Sequence, residues 1–278
     1  MTSSHPRLVD AQWLHDHLSD SSIRVVDATV HLTFDEDGAH TESGRETYRE
    51  AHVPGATFAD QLTELTEHDG EAGFAAVASA RFAEVVGGLG IGHDSTVVVY
   101  DHVNSIWATR LWWQLTFEGH DDVVVLDGGL AAWQGAGFPV EAGDASYPAA
   151  TFTPQRRPER IASTAQVEAA TSDDAVLLVN SLSRDSFAQG RIPGSVNVPF
   201  DELVDASGQL RSLDELRPLF ESVGALDPGV APVTYCGGGI AATAVAFALQ
   251  GLGRDDVAIY DGSLNAWTSD PERPLERG

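Results

Sequence analysis

Lysine is absent from the 278 residues, so all 16 cationic side chains are arginine, and they stand against 42 Asp and Glu for a formal net charge of −26. A surface that acidic repels phosphate and excludes nucleic acid as a natural partner. The excess negative charge reads as a device for solubility. Cysteine is almost absent too: Cys236 stands alone. One thiol excludes an internal disulfide and a thiolate zinc cluster, and neither a metal site nor a cofactor is expected. No apolar run approaches the roughly 18 residues needed to cross a bilayer, and the opening MTSSHPRLVDAQWLHDHLSD lacks the continuous apolar segment of a signal peptide. The expectation is a cytoplasmic protein with no membrane partner, a monomer or weak homo-oligomer.

What is present is globular. With 42% hydrophobic and 21% charged residues, the chain can bury a core, and its length leaves room for two domains. The two halves repeat one another in order. AHVPGATFAD (51–60) answers GRIPGSVNVP (190–199), TVVVYD (96–101) answers APVTYC (231–236), and VVVLDGGLAAWQGAGFPVE (123–141) answers VAIYDGSLNAWTSDPERPLE (257–276). The reading is an N-terminal copy at 5–143, a Pro-, Ala- and Thr-rich linker at 144–160 and a C-terminal copy at 161–278. Within each copy, short β-branched runs such as IRVVDA and TVVVY alternate with amphipathic stretches such as ATRLWWQLTFEG. Continuous apolar strands separated by helices predict an α/β fold, each copy a mostly parallel sheet flanked by helices.

Cys236 ends one such strand, where open α/β sheets bind their ligands. Three glycines follow, Gly237, Gly238 and Gly239, then Ile240 and a helical run from Ala241. Glycine lets the chain bend tightly with its N–H groups inward, and a helix N-terminus adds partial positive charge. Such a cradle stabilises a thiolate or a persulfide. A lone cysteine more commonly packs as a small hydrophobe, but packing does not call for three glycines. The Lys-Ser/Thr of a nucleotide P-loop is missing.

These pieces together resemble the tandem-domain sulfurtransferases of the rhodanese superfamily, and within them the 3-mercaptopyruvate sulfurtransferases. The motifs AHVPGA, GRIPGSVNVPF, LDGGLAAW, the ATRLWW helix after VVVYD, and YDGSLNAW followed by DPERPLERG carry that resemblance over nearly the whole chain. It implies a catalytic Cys236 in the C-terminal copy and an inactive N-terminal copy, where Asp101 holds the corresponding position. The implied reaction moves a sulfane sulfur from a small-molecule donor, 3-mercaptopyruvate or thiosulfate, through a Cys236 persulfide to a thiophilic acceptor such as cyanide or a thiol. The loop, with Gly237, Gly238, Gly239, Ile240 and Ala241 as substrate-binding residues, is nearer the mercaptopyruvate pattern but has Gly238 in place of a serine and Ala241 in place of a threonine. The arginine that grips the donor's carboxylate in the family falls at Ser186, leaving Arg184 and Arg191 as replacements; an ion pair or turn contact is the plain alternative for each. His52 reads as a structural turn residue, His68 matches the family's histidine in poor register, and Asp60 is a weak match to its acidic partner.

Two other classes compete. A rhodanese-like carrier or binding module with little donor turnover fits the missing Ser and Arg. A Cys-dependent phosphatase needs an arginine in the loop to clamp a dianion, and the sixth residue after Cys236 is Ala242.

Overall fold

The computed structural model describes residues 8–35, 38–67 and 73–278. They form two compact units that are not continuous in sequence. One contains the chain up to Thr66 with Val77–Arg156 and Ala206–Gln209; the other contains the short stretch ending at Ala76 with Arg157–Asp205 and Leu210–Gly278.

Each unit is built on a parallel sheet. In the first, the order is Leu8–Val9, Val123–Leu126, Thr96–Tyr100, Ile23–Asp27, Thr57–Phe58. In the second it is Val196–Asn197, Val176–Asn180, Ala231–Tyr235, Ala258–Ile259. The central strands are runs of valine and leucine because both of their faces are covered. The helix Ile106–Phe117 packs on one face of the first sheet and Ala241–Gly251 on one face of the second. Ile106–Phe117 is buried at every position and Ala241–Gly251 at all but its last, which explains why their apolar residues are not confined to one stripe. On the opposite faces, Leu14 and Trp133 close one core with Val25, Val98 and Tyr100, and Val167 and Trp267 close the other with Leu178, Val233 and Tyr235. Among the described residues no helix is long and apolar enough to cross a membrane.

The repeated motifs now have physical reasons. The tyrosine that ends each central strand accepts a backbone N–H at its hydroxyl: Val53 to Tyr100 and Ile192 to Tyr235, both at 3.1 Å. Each bond pins a Pro-Gly turn whose glycine, Gly55 or Gly194, has a φ of 76°. The indole of the tryptophan that recurs in each copy then donates to a carbonyl, Trp133 to Pro139 at 2.8 Å and Trp267 to Pro274 at 2.9 Å. Residues 144–157 carry no helix or strand, yet they are tied to the first unit, for example by Ala150 N–H to the Gly87 carbonyl and Gln155 N–H to the Glu118 carbonyl.

Where this segment passes the first unit it covers His120, 6% exposed, whose ring lies 6.0 Å from that of Phe152. Burial holds the imidazole pKa below its usual value, against the pull of Asp122. A histidine buried neutral contributes stability above the free imidazole pKa of about 6.5 and loses it as pH falls below that value. The urea midpoint is therefore expected to fall between pH 7 and pH 5, and to fall less in His120→Gln. Parallel pH dependences in the two proteins would contradict this account of His120.

Candidate active site

At the carboxyl end of Ala231–Tyr235 the chain leaves the sheet, and Cys236, 3% exposed, is the first residue out. Its thiol is unpaired with any other cysteine. The Gly239 N–H donates to Sγ at 3.2 Å. The backbone around the thiol is fixed from the next loop: Cys236 N–H donates to Ser263 Oγ at 3.0 Å, Leu264 N–H to the Cys236 carbonyl at 3.1 Å, and Asn265 N–H to the Gly237 carbonyl at 2.9 Å. Ser263 holds this post in a left-handed conformation, φ 50°, with its hydroxyl donating to the Tyr260 carbonyl at 2.8 Å.

Glycine is required at one loop position above the others. Gly239 has a φ of +84°, and a Cβ there would lie 2.4 Å from the Asp261 carbonyl oxygen. Gly238 has a different reason: a Cβ would come within 2.9 Å of the Phe74 ring and 3.1 Å of Asn265 Nδ2. Phe74 and Asn265 take the room a serine side chain would need. Asp261 accepts the Ala76 N–H at 2.8 Å, which ties the segment bearing Phe74 beside the loop.

The first unit displays what the same turn does with a charge in it. Asp101, 2% exposed, follows Tyr100 as Cys236 follows Tyr235. Its Oδ1 accepts the N–H groups of Val103 at 2.8 Å and Ser105 at 3.0 Å; its Oδ2 accepts those of Trp107 and Ala108, both at 3.0 Å. All four partners are donors, so both oxygens act as the acceptors of an ionised carboxylate. Burial raises the Asp101 pKa above the usual carboxylate value, and the N–H groups of Ala108, Val103 and Ser105 offset that only in part. Ser105, with φ 66°, stands where Gly239 stands in the other loop. Counting from these two residues, Trp107 and Ala108 correspond to Ala241 and Ala242, whose N–H groups open a helix and have no partner within it.

The cations sit otherwise. Arg184 opens the helix Arg184–Gln189 and pairs with Glu202 in a two-point contact of 2.6 and 2.8 Å, its side chain 63% exposed. Arg191 is bound to the Pro-Gly turn: its guanidinium meets Glu276 at 3.3 Å, donates to the Gly278 carbonyl at 2.8 Å and lies over the Phe187 ring. Its backbone pairs with Glu276 as that of His52 pairs with Glu141. Ser186 bonds to Ser183 at the start of its own helix. His52 is wholly buried, with Nδ1 2.8 Å from the Tyr48 carbonyl and its ring stacked on Tyr48. Asp60 receives the N–H groups of Leu62 and Thr63 and the Ser43 hydroxyl. His68 lies outside the described residues.

The family model for the rhodanese-like domain matches twice, at residues 10–136 and 163–270. The chain belongs to the rhodanese family. This rhodanese chain is 32% identical to thiosulfate/3-mercaptopyruvate sulfurtransferase 2 of Arabidopsis thaliana, over 98% of its own length and 87% of that protein. It is 30% identical to 3-mercaptopyruvate sulfurtransferase of Escherichia coli strain K12, over 96% and 97%, and 30% identical to thiosulfate sulfurtransferase of Gallus gallus, over 94% and 92%. The crystal structure of a 3-mercaptopyruvate sulfotransferase from Escherichia coli superposes with a TM-score of 0.83 at 30% identity, covering 93% of this chain and 99% of that one.

Reasoning from sequence missed Ser263, Asp261 and Phe74. Ser263 had a signal, because the repeated block reads Asp-Gly-Gly in one copy and Asp-Gly-Ser in the other. The loop geometry carries its own test. Gly239→Ala is expected to lose roughly 1–3 kcal/mol of stability through backbone strain. Gly237→Ala meets nothing within 4 Å and has no positive φ, so it is expected to be neutral or up to about 1 kcal/mol stabilising. Equal urea midpoints for the two variants would show that the turn is not held as described.

Proposed function

We propose that this rhodanese-family chain is a sulfurtransferase in which Cys236 accepts a sulfane sulfur, with 3-mercaptopyruvate as preferred donor over thiosulfate. The observation that carries the reading is the thiol at the head of the amide-lined turn, Sγ already accepting the Gly239 N–H, in the position where the other repeat stabilises a buried anion with four N–H groups.

The chemistry needs only the thiolate and the donor. The Cys236 thiolate attacks the donor sulfur, a sulfur–sulfur bond forms, and the sulfur–carbon bond of mercaptopyruvate breaks. The electron pair goes to the methylene carbon, which takes up the proton of the donor's thiol, so pyruvate leaves and the outer sulfur of the persulfide carries the negative charge. A thiophilic acceptor such as cyanide then attacks the outer sulfur, the sulfur–sulfur bond breaks, thiocyanate departs and the thiolate is restored. Charge on the outer sulfur is what the N–H groups of the loop and of Ala241 and Ala242 serve.

The donor preference follows from charge. Residues 237–241 carry no cation, whereas thiosulfate is a compact dianion that requires one close to the reacting sulfur. The net charge of −26 adds a long-range repulsion that acts more strongly on a dianion and is screened beyond about 8 Å at physiological salt. Mercaptopyruvate bears one carboxylate, remote from its sulfur. Arg184, exposed and paired with Glu202, can turn to that carboxylate by giving up an ion pair that solvent screens. Arg191 would have to leave Glu276, the Gly278 carbonyl and Phe187 to do the same.

Thiocyanate release with the two donors, measured side by side, tests the reading. The kcat/KM for mercaptopyruvate is expected to exceed that for thiosulfate, and Arg184→Ala to raise the mercaptopyruvate KM roughly tenfold or more. Intact-protein mass spectrometry after incubation with donor is expected to show one added sulfur on the wild type and none on Cys236→Ser, which should also be inactive. Undiminished turnover in Cys236→Ser sinks the reading. A wild type that acquires the sulfur but turns over poorly would instead favour a sulfur-carrier role.

A further inference from the structure

Ser181 is wholly buried, and its hydroxyl has no hydrogen-bond partner among the described residues. A hydroxyl left in that state costs free energy, so its placement calls for an explanation. The register supplies one. The strands Val176–Asn180 and Ala231–Tyr235 run parallel with Leu178 opposite Val233, Val179 opposite Thr234 and Asn180 opposite Tyr235. Leu178, Val233 and Tyr235 face the core of the second unit. Thr234 faces the other way, its hydroxyl donating to the Ala242 carbonyl at 3.1 Å. One step beyond Asn180 and Tyr235, alternation returns to the Thr234 face, and the residues at that step are Ser181 and Cys236. The pairing continues that far, because Ser181 N–H donates to the Tyr235 carbonyl at 2.8 Å. Ser181 and Cys236 are therefore lateral neighbours on the face covered by the helix Ala241–Gly251, with neighbouring strands about 4.8 Å apart.

The first unit gives the control. There the N–H donating to the Tyr100 carbonyl belongs to Ala28, also wholly buried. Beside the carboxylate of Asp101, whose oxygens take backbone N–H groups, the position carries no hydroxyl; beside the thiol it does. In the unloaded protein that hydroxyl makes no bond to Sγ, so the atom it suits is one not yet present.

We propose that Ser181 is a positioning residue for the outer sulfur of the Cys236 persulfide, donating its O–H to that atom once sulfur has been transferred. The inference rests on Cys236 being the sulfur carrier. It assigns Ser181 to the loaded form and not to the thiol, and it supplies, from the neighbouring strand, a hydroxyl that the loop does not contain.

The experiment loads wild type and Ser181→Ala with 3-mercaptopyruvate, removes donor, and follows loss of the added sulfur by intact-protein mass spectrometry and its discharge to cyanide across pH. The variant is expected to alkylate with iodoacetamide at the wild-type rate when unloaded, to lose the sulfur roughly ten- to hundredfold faster, and to show a discharge profile displaced to higher pH. Ser181→Thr, which keeps the hydroxyl, is expected to follow the wild type, and Ser181→Val, of the same shape without it, to follow Ser181→Ala. That pair also keeps the test decisive if the alanine variant fails to fold. Identical sulfur lifetimes and pH profiles in wild type and Ser181→Ala would overturn the proposal, as would a Thr variant indistinguishable from the Val variant. A wild type that never acquires sulfur would instead overturn the assignment of Cys236 itself.

Discussion

A turn at the carboxyl end of a buried strand, with backbone N–H groups directed at the side chain that heads it, is the interaction around which both repeats are organised. In the first unit that side chain is Asp101, which places its own carboxylate against four N–H groups. In the second, the same point of the fold carries a thiol, one N–H bond already directed at its sulfur. A neutral thiol gains little from such a cradle, while a thiolate or persulfide gains about 1.5–3 kcal/mol per charged hydrogen bond. Under the proposed chemistry the arrangement would favour the loaded form of Cys236 over the resting thiol. The positive φ of Gly239, the left-handed Ser263 and the close approach of the Asp261 carbonyl are the costs of aiming those N–H groups.

The supporting structure is common to both copies. A tyrosine hydroxyl pins a Pro-Gly turn, a glutamate closes it from the end of the copy, and a tryptophan indole fixes the chain that brings the glutamate back. The copies diverge where chemistry would be decided: Asp101 against Cys236, Ala28 against Ser181, Gly129 against Ser263. His52 and Arg191 occupy equivalent places on the glutamate-closed turn, which gives Arg191 a structural occupation independent of any substrate.

Much of this was legible from the residues. Runs such as TVVVY and VVVL can only be strands covered on both faces, and the duplication announced two α/β units. Cys236 and its glycines stood out because chain bending, lack of side chain and a sole nucleophile coincide within four residues. Ser181 was invisible, because its meaning comes from lateral register with a strand more than fifty residues away and from a comparison with Ala28 that requires knowing which N–H meets which tyrosine carbonyl. Phe74 was equally hidden, since it reaches Gly238 from a segment that sequence order assigns to the other copy. The arginines were ambiguous for a different reason: in a chain so rich in carboxylates many cations find an acid, and the pairs with Glu202 and Glu276 are not encoded in any local spacing.

The central claim, that inward N–H groups hold an anionic sulfur on Cys236, is tested most directly by amide NMR of the uniformly labelled protein before and after loading with 3-mercaptopyruvate. The account predicts downfield shifts confined to Gly238–Ala242 and their immediate neighbours, with the amides of Val103, Ser105, Trp107 and Ala108 unmoved because Asp101 already occupies them. Sulfur acquired on Cys236 with no change in the loop amides would contradict it.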